Sequence, residues 1–352
     1  MLTKEQIAEI REHLEKAQNP VFFFDNDCDG LMAFILLRRF IGRGRGVAIK
    51  SFPELDESYV KKIDEFNADY VFVLDKPLVS QGFIQEVKEK NIPLVWIDHH
   101  DVNLNFNFSS ESMNNVYYFN PMILKNSSNE PVSYLAYKVV SNKEDSWLAM
   151  VGCIADNFIP EFSEDFFSQY PEIFTNQNPS SAFEILYETD FGKLIMVLSF
   201  GLKDRTSNVV YMINFLFKVR SLYEILKEDD KNFKIIRRYK QINSFYEKIL
   251  DKAKKVARSS KKVVFFKYSG ELSLSADLAN ELIYRFPGKI IIVAYFKGSV
   301  VNVSVRGGVD VLAVTLEAVK AIEGATGGGH KHATGAKMST DDLQKFKDFF
   351  GE

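Results

Sequence analysis

The sequence predicts an α/β protein: a parallel, doubly wound sheet, then a helical connector, then a smaller mixed α/β domain. Three observations carry that reading. Short runs of strand-forming residues alternate with amphipathic helical segments through residues 20–120, the pattern of a parallel sheet with crossover helices. Several of those runs end abruptly in acids or histidines, and open α/β sheets bind their ligands beyond the carboxyl ends of the strands. A chain of 352 residues also exceeds the roughly 250–300 residues at which a single core stops growing.

The elements follow in order. Residues 3–17 read as a helix opened by Thr3. The run V-F-F-F at 21–24 is a buried strand that enters the acidic turn D-N-D-C-D-G at 25–30, and an amphipathic helix follows to about 41. Glycines at 42, 44 and 46 mark a flexible break. Next come a strand at 47–51, a helix at 58–66, a strand at 70–74 ending at Asp75, a helix at 80–90 and a strand at 94–97 ending at Asp98, His99 and His100. Residues 116–119 make a further strand, closed by Asn120-Pro121. From 131 to about 258 the pattern turns helical, with helices at 131–140 and 146–155 and Asp156 ending the second. The segment 161–181 is aromatic, acidic and broken by proline, a loop with one short helix. Ile235, Tyr239, Ile242, Tyr246, Ile249 and Ala253 recur at helical spacing and predict one long helix bridging two domains. Strands at 263–268, 289–296 and 300–306 and helices at 276–286 and 311–322 make the last domain. The boundaries read this way are 1–160, 161–260 and 261–352.

Composition excludes several classes. Hydrophobic content of 46% with 26% charged residues excludes a disordered or collagenous chain. A net charge of −3 excludes a global basic footprint, so any contact with nucleic acid must be local. One such excess exists: residues 231–262 hold twelve Lys and Arg against Glu247 and Asp251, a formal balance of +10. A solvated helix face accounts for this run; so does steering of a phosphate backbone. Only two cysteines, Cys28 and Cys153, argue against a disulfide framework and for a reducing, cytoplasmic setting. No apolar run approaches ~18 residues, so no membrane span is expected, and the charged N-terminal helix is not a signal peptide.

The chemistry gathers at the strand ends. Asp25, Asp27 and Asp29 on one turn repel one another and raise each other's pKa unless a cation neutralises them. A calcium loop of the same D-x-D-x-D-G pattern needs a bidentate Glu at its twelfth position, where this chain has Leu36. Adding Asp75, His99, His100 and Asp156 gives an oxygen-rich donor set with imidazoles, suited to Mn²⁺ or Mg²⁺ rather than to structural zinc. The set is too large for one ion. A pair ~3.5–4 Å apart and bridged by one carboxylate fits it, and such a pair hydrolyses phosphoesters.

Taken together, these motifs resemble the DHH phosphoesterase superfamily, in the branch that carries a DHH-associated C-terminal domain. D-N-D-C-D-G at 25–30 is similar to the D-x-D-x-D-G of RecJ-type nucleases; Asp75, D-H-H at 98–100 and G-C-I-A-D at 152–156 are similar to the next three motifs. Asn120-Pro121 falls where relatives carry a similar dipeptide, and S-V-R at 304–306 with G-G-G-H-K-H-A-T-G at 327–335 resembles the signature of the C-terminal domain. The resemblance implies metal ligands at Asp27, Asp29, Asp75, His99 and Asp156, with Asp75 as the bridge and Asp25 as a ligand or its immediate support. It implies that His100 meets the phosphate or leaving group, that Asp98 orients the histidines, and that a metal-bound hydroxide is the nucleophile. Arg306, Gly327, Gly328, Gly329 and His330 are implied to bind substrate, the glycines forming a loop that admits a phosphate to backbone N–H groups.

The activity so implied is exonucleolytic hydrolysis of single-stranded RNA, DNA or short oligonucleotides with two Mn²⁺ ions, Mg²⁺ being the alternative. A phosphoesterase for a cyclic dinucleotide or adenosine bisphosphate is the second reading. A replication or repair accessory is the third, and a replication or repair protein partner is compatible with the first. Polarity, oligomeric state and the role of residues 160–260 are not legible in the sequence.

Overall fold

The computed structural model describes residues 1–51, 54–101, 114–174, 176 and 178–351. The chain divides into two compact units, 1–237 and 238–352, and the helical segment after residue 160 belongs to the first.

The first unit is built on five parallel strands: β1 (Pro20–Asp25), β2 (Arg45–Ile49), β3 (Tyr70–Leu74), β4 (Leu94–Ile97) and β5 (Val116–Phe119). Their spatial order is β2-β1-β3-β4-β5, and every neighbouring pair is parallel. The order reverses between β1 and β3, which makes their carboxyl ends the topological switch point of the sheet. Strands buried on both faces explain the unbroken V-F-F-F and V-F-V-L runs. Phe22 and Phe24 pack on Phe34 on one face, while Phe23 meets Phe83 edge-on at 5.5 Å on the other. Each of these fully buried rings contributes about 1.5–3 kcal/mol.

Phe34 lies on α2 (Cys28–Ile41), and Phe83 lies on α3 (Gln81–Glu89). The N-terminal helix α1 (Lys4–Lys16) opens with a capping box between Thr3 and Gln6. Two further helices, α4 (Val132–Val140) and α5 (Ser146–Ala155), pack against α2. Beyond them lie α6 (Ser163–Gln169), α7 (Ala182–Glu188), α8 (Asp190–Leu202) and α9 (Thr206–Leu216). The glycine break after α2 is shorter than the sequence implies. Gly42 ends the helix in the left-handed region, at φ 70°, and Gly46 already stands in β2.

The 27-residue helix α10 (Phe233–Ser259) contains the division between the units. In the second unit, β6 (Val263–Ser269), β7 (Ile290–Lys297), β8 (Val300–Arg306), β9 (Thr326–His330) and β10 (Ala333–Ser339) form a mixed sheet. The order is β9-β10-β8-β7-β6, with only β6 and β7 parallel. Helices α11 (Ser275–Arg285) and α12 (Val311–Lys320) pack on it. Among the described residues no helix is long and apolar enough to cross a membrane.

Candidate metal centre

The first acidic turn is fixed by backbone economy. Asp27 caps α2, its carboxylate accepting from the Gly30 amide at 3.0 Å. A Cβ at Gly30 would sit 2.7 Å from the Asp25 carbonyl oxygen, so only glycine lets the helix start this close to the strand end. Asp29 points inward and is 2% exposed. Its two oxygens accept from the Val132 amide at 2.7 Å and the Ser133 amide at 2.9 Å, and from the Ser133 hydroxyl. Asp29 thus satisfies the N-terminal amides of α4 and ties that helix to α2. Gly152 on α5 makes room for this contact, because a Cβ there would collide with Ser133 Oγ and lie 3.1 Å from Asp29 Oδ1.

Asp75 stands immediately beyond β3 at φ 59°, in the left-handed region that non-glycine residues seldom occupy. Its amide bonds to the Ile97 carbonyl at 2.9 Å, which holds the bend. The side chain is 2% exposed, and its Oδ1 has no hydrogen-bond partner among the described residues. Strain and an unmet buried oxygen at one residue are the signature of a group waiting for a ligand.

Imidazoles face that oxygen. His99 Nε2 lies 3.5 Å from Asp75 Oδ1 and 3.6 Å from Asp156 Oδ2. On the other side of the ring, His99 Nδ1 meets Asn129 Oδ1 at 2.9 Å. With the amide oxygen accepting, the proton sits on Nδ1 and the Nε2 lone pair faces the acids, which is the tautomer a metal ligand requires. Ligand atoms of Asp75, His99 and His100 lie within 4.8 Å of one another.

Buried Asp98 organises the second histidine. Its Oδ1 is 2.8 Å from His100 Nδ1, and its Oδ2 accepts from the His100 amide at 3.1 Å and from Asn120 Nδ2 at 3.3 Å. Burial opposes a charge on His100, but the hydrogen bond and charge of Asp98, followed by Asp156 and Asp27, raise it to about 9. His99 moves the other way, lowered mainly by burial, and stays neutral. Two adjacent imidazoles therefore carry different charges near neutral pH.

The acids crowd one another. Burial, then the charges of Asp25 and Asp29, push Asp27 up to about 7. Burial and the charges of Asp29 and Asp27 also hold both Asp75 and Asp156 well above the usual carboxylate range. Asp156, which caps the end of α5, is 37% exposed, so water tempers its rise more than that of Asp75. Hard oxygens, one neutral imidazole and carboxyls that resist ionisation without a counter-charge fit a divalent cation of the Mn²⁺ or Mg²⁺ type.

Two contributors were hidden from sequence reasoning. Lys76 is 2% exposed and places Nζ 3.1 Å from Asp25 Oδ1 and 2.9 Å from the Ser51 carbonyl, offsetting part of the acidic charge. A lysine directly after Asp75 was the available signal. Asn129 had none, because nothing in the sequence ties it to His99, 30 residues earlier. Cys28, set between acids of the turn, is buried, with its thiol 3.8 Å from the Ile195 carbonyl.

In the second unit, Arg306 ends β8, donating to Asn280 Oδ1 at 2.5 Å and to the carbonyls of Val305 and Thr334. Gly327, Gly328 and Gly329 correct the sequence expectation of a loop. They lie within β9, paired with Ala336, Gly335 and Thr334, and His330 ends that strand. The β10 partner supplies a full ladder, so a glycine run that reads as a turn is held extended by tertiary pairing. As an edge strand without side chains at three positions, β9 leaves its outer backbone open to approach.

Residues 260–352 match the family model of the DHHA1 domain. The whole chain is similar to RecJ from Thermus thermophilus in complex with Mn²⁺, with a TM-score of 0.71 and 15% identity over 98% of this chain and 53% of that one. It is similar to the exonuclease RecJ bound to manganese (TM-score 0.67, 14% identity, 98% and 92% covered). A third similar structure is the DHH domain of a member of the s1p family of ribosomal proteins (TM-score 0.68, 18% identity, 99% and 90% covered). The chain spans about half the length of the Thermus protein. No curated protein matches its sequence. Likeness at these identities shows the fold.

Proposed function

From a RecJ-like chain with the DHH fold and a DHHA1 domain, we infer a metal-dependent phosphodiesterase that trims single-stranded nucleic acid or short oligonucleotides from an end. The observation that carries this reading is Asp75, strained, buried and unmet at Oδ1, facing His99 Nε2 at 3.5 Å. Asp27, Asp75, His99 and Asp156 would hold two ions, Mn²⁺ or Mg²⁺, with Asp25 and Asp29 beside them. When bound, such ions supply the positive charge that activates water and grips a phosphate. Structures of RecJ with Mn²⁺ and with Mg²⁺ support that choice of ion.

The chain's own residues do the remaining work. Asn129 fixes the His99 ring, and Asp98, 2.8 Å from His100 Nδ1, favours the cationic form of that imidazole. A cationic imidazole there can donate a hydrogen bond to a phosphate oxygen or protonate a leaving alkoxide. In the second unit, Arg306 and the glycine edge of β9 with His330 are the proposed phosphate-binding elements, and the basic run of α10 is the proposed electrostatic guide.

The test is digestion of end-labelled RNA and DNA, from dinucleotides to ~20-mers, with Mn²⁺ present. Shortening from one end by the native chain, absent in Asp75→Asn, is the expected result. Intact linear substrates of every length would refute the reading.

A further inference from the structure

A second charged cluster lies at the far end of α2. Arg38 stands eleven residues beyond Asp27 on that helix, roughly 16 Å along its axis. Around it is a cavity of about 420 Å³, lined by Arg38, Arg39, Arg220, Phe40, Phe217 and Asp145 together with Val140 and Asn142. That volume falls within the range of small-molecule sites. All the lining residues belong to the first unit.

The charges in this cavity are unequally met. Arg39 is tied down: it pairs with Asp145 through Nη1 and donates through Nη2 to the carbonyls of Leu216 and Val219. Arg38 is not. Its guanidinium lies 4.0 Å over the Phe217 ring, and no carboxylate pairs with it among the described residues. Among the described residues its Nε is buried without a hydrogen-bond partner, as is that of Arg39. Arg220 is exposed and adds a third guanidinium. Asp145 offsets one of the three charges, and Glu224, whose carboxylate accepts from the Arg220 amide at 2.8 Å and whose charge reaches Arg39, offsets a second, which leaves one in excess.

Packing alone does not explain this arrangement. Stacking on Phe217 orients the Arg38 fork but satisfies none of its donors, and guanidinium donors are matched by the oxygens of a carboxylate or phosphate. The carboxyl end of a helix favours cations and disfavours an anion, so it is the unmet guanidinium donors, and not the sign of the charge, that mark this place.

We propose that this cavity binds a phosphomonoester dianion between the guanidinium groups of Arg38 and Arg220, with the Arg39–Asp145 pair as its fixed wall. Phe40, 36% exposed at the rim, gives a planar substituent a face to rest on. The phosphate can come from a mononucleotide or from free phosphate.

Calorimetric titration of the full chain separates these sources, with chelator present so that the acidic cluster repels anions. The ligands are adenosine 5′-monophosphate, inorganic phosphate and adenosine. Saturable binding of the nucleotide or of phosphate is expected, with adenosine much weaker. Tighter nucleotide binding identifies the mononucleotide as the source, and equal affinity identifies free phosphate. Arg220→Gln and Arg38→Gln are each expected to weaken binding about tenfold, as the loss of one charge-assisted hydrogen bond does. Arg38→Lys is expected to recover part of that loss. Arg220 is exposed, so its variant stays informative if Arg38→Gln folds poorly. No saturable binding of either anion at millimolar concentration, equal binding of adenosine, or unchanged affinity in Arg220→Gln would overturn the proposal. Turnover plays no part in the readout, so it stands or falls apart from the hydrolytic reading.

Discussion

The two ends of α2 make opposite bargains with charge. At its N-terminus, Asp27 joins Asp25, Asp29, Asp75 and Asp156, and the nearest compensation is Lys76 on Asp25 and the cationic His100. At its C-terminus, Arg39 is answered by Asp145 and two carbonyl oxygens, leaving Arg38 and Arg220 for something else. Acids at the start of a helix and bases at its end are what the macrodipole favours, so charge sign by itself marks neither end as functional. What distinguishes them is satisfaction. The acidic end holds a strained, buried, unpaired oxygen, whereas the basic end anchors one guanidinium as structure and leaves another open.

The largest effect that would sharpen this contrast is at Asp75. Removing an outer partner of a metal ligand costs about 10- to 100-fold, so loss of a proposed ligand itself in Asp75→Asn should lower hydrolysis beyond about 100-fold. Single-turnover assays with saturating Mn²⁺ measure it, and a near-native rate would break the assignment. At the other end, Arg39→Ala leaves Asp145 buried and unpaired. It should cost about 3–5 kcal/mol of stability, read from the urea midpoint. A loss below about 1 kcal/mol would show that the Arg39 pair is not structural.

Smaller effects probe the acidic end more finely. Asn129→Ala releases the His99 tautomer and should weaken Mn²⁺ binding by about 10- to 100-fold, measured by competition with a chelating dye. Unchanged affinity would remove Asn129 from the site. A pH slope probes the same end without a substitution. Asp27 rises in the folded chain from 3.8 to about 7, and His100 from 6.5 to about 9. Both groups bind more protons when folded, so the cluster's contribution to the stability of the metal-free protein falls as pH rises from about 4 through 9. Mn²⁺ should reverse the trend by replacing those protons. Thermal unfolding with chelator and with Mn²⁺ between about pH 5 and pH 9 tests both signs, and parallel curves would contradict them.

Much of the fold is legible in the sequence because its signals are local. Continuous apolar runs mark the parallel strands, and the helix expected over 146–155 matches the observed α5 residue for residue. The acids and histidines are legible as candidates because each stands at or within a few residues of a strand or helix end. Their duties are less so. The inward turn of Asp29 onto the amides of Val132 and Ser133 depends on residues a hundred positions away. The glycines at 327–329 read as a loop, since glycine carries no pattern and only the ladder with β10 makes them a strand.

The sequence by itself determined which residue types stand at the ends of β1, β3 and β4, because periodicity and turn chemistry act over a few residues. Tertiary structure alone decided that Asp75 Oδ1 is left without a hydrogen-bond partner among the described residues, that Asn129 reaches His99, and that Arg38 and Arg220 share a cavity. Those facts depend on burial and on contacts across long stretches of chain, and local sequence energetics do not encode them.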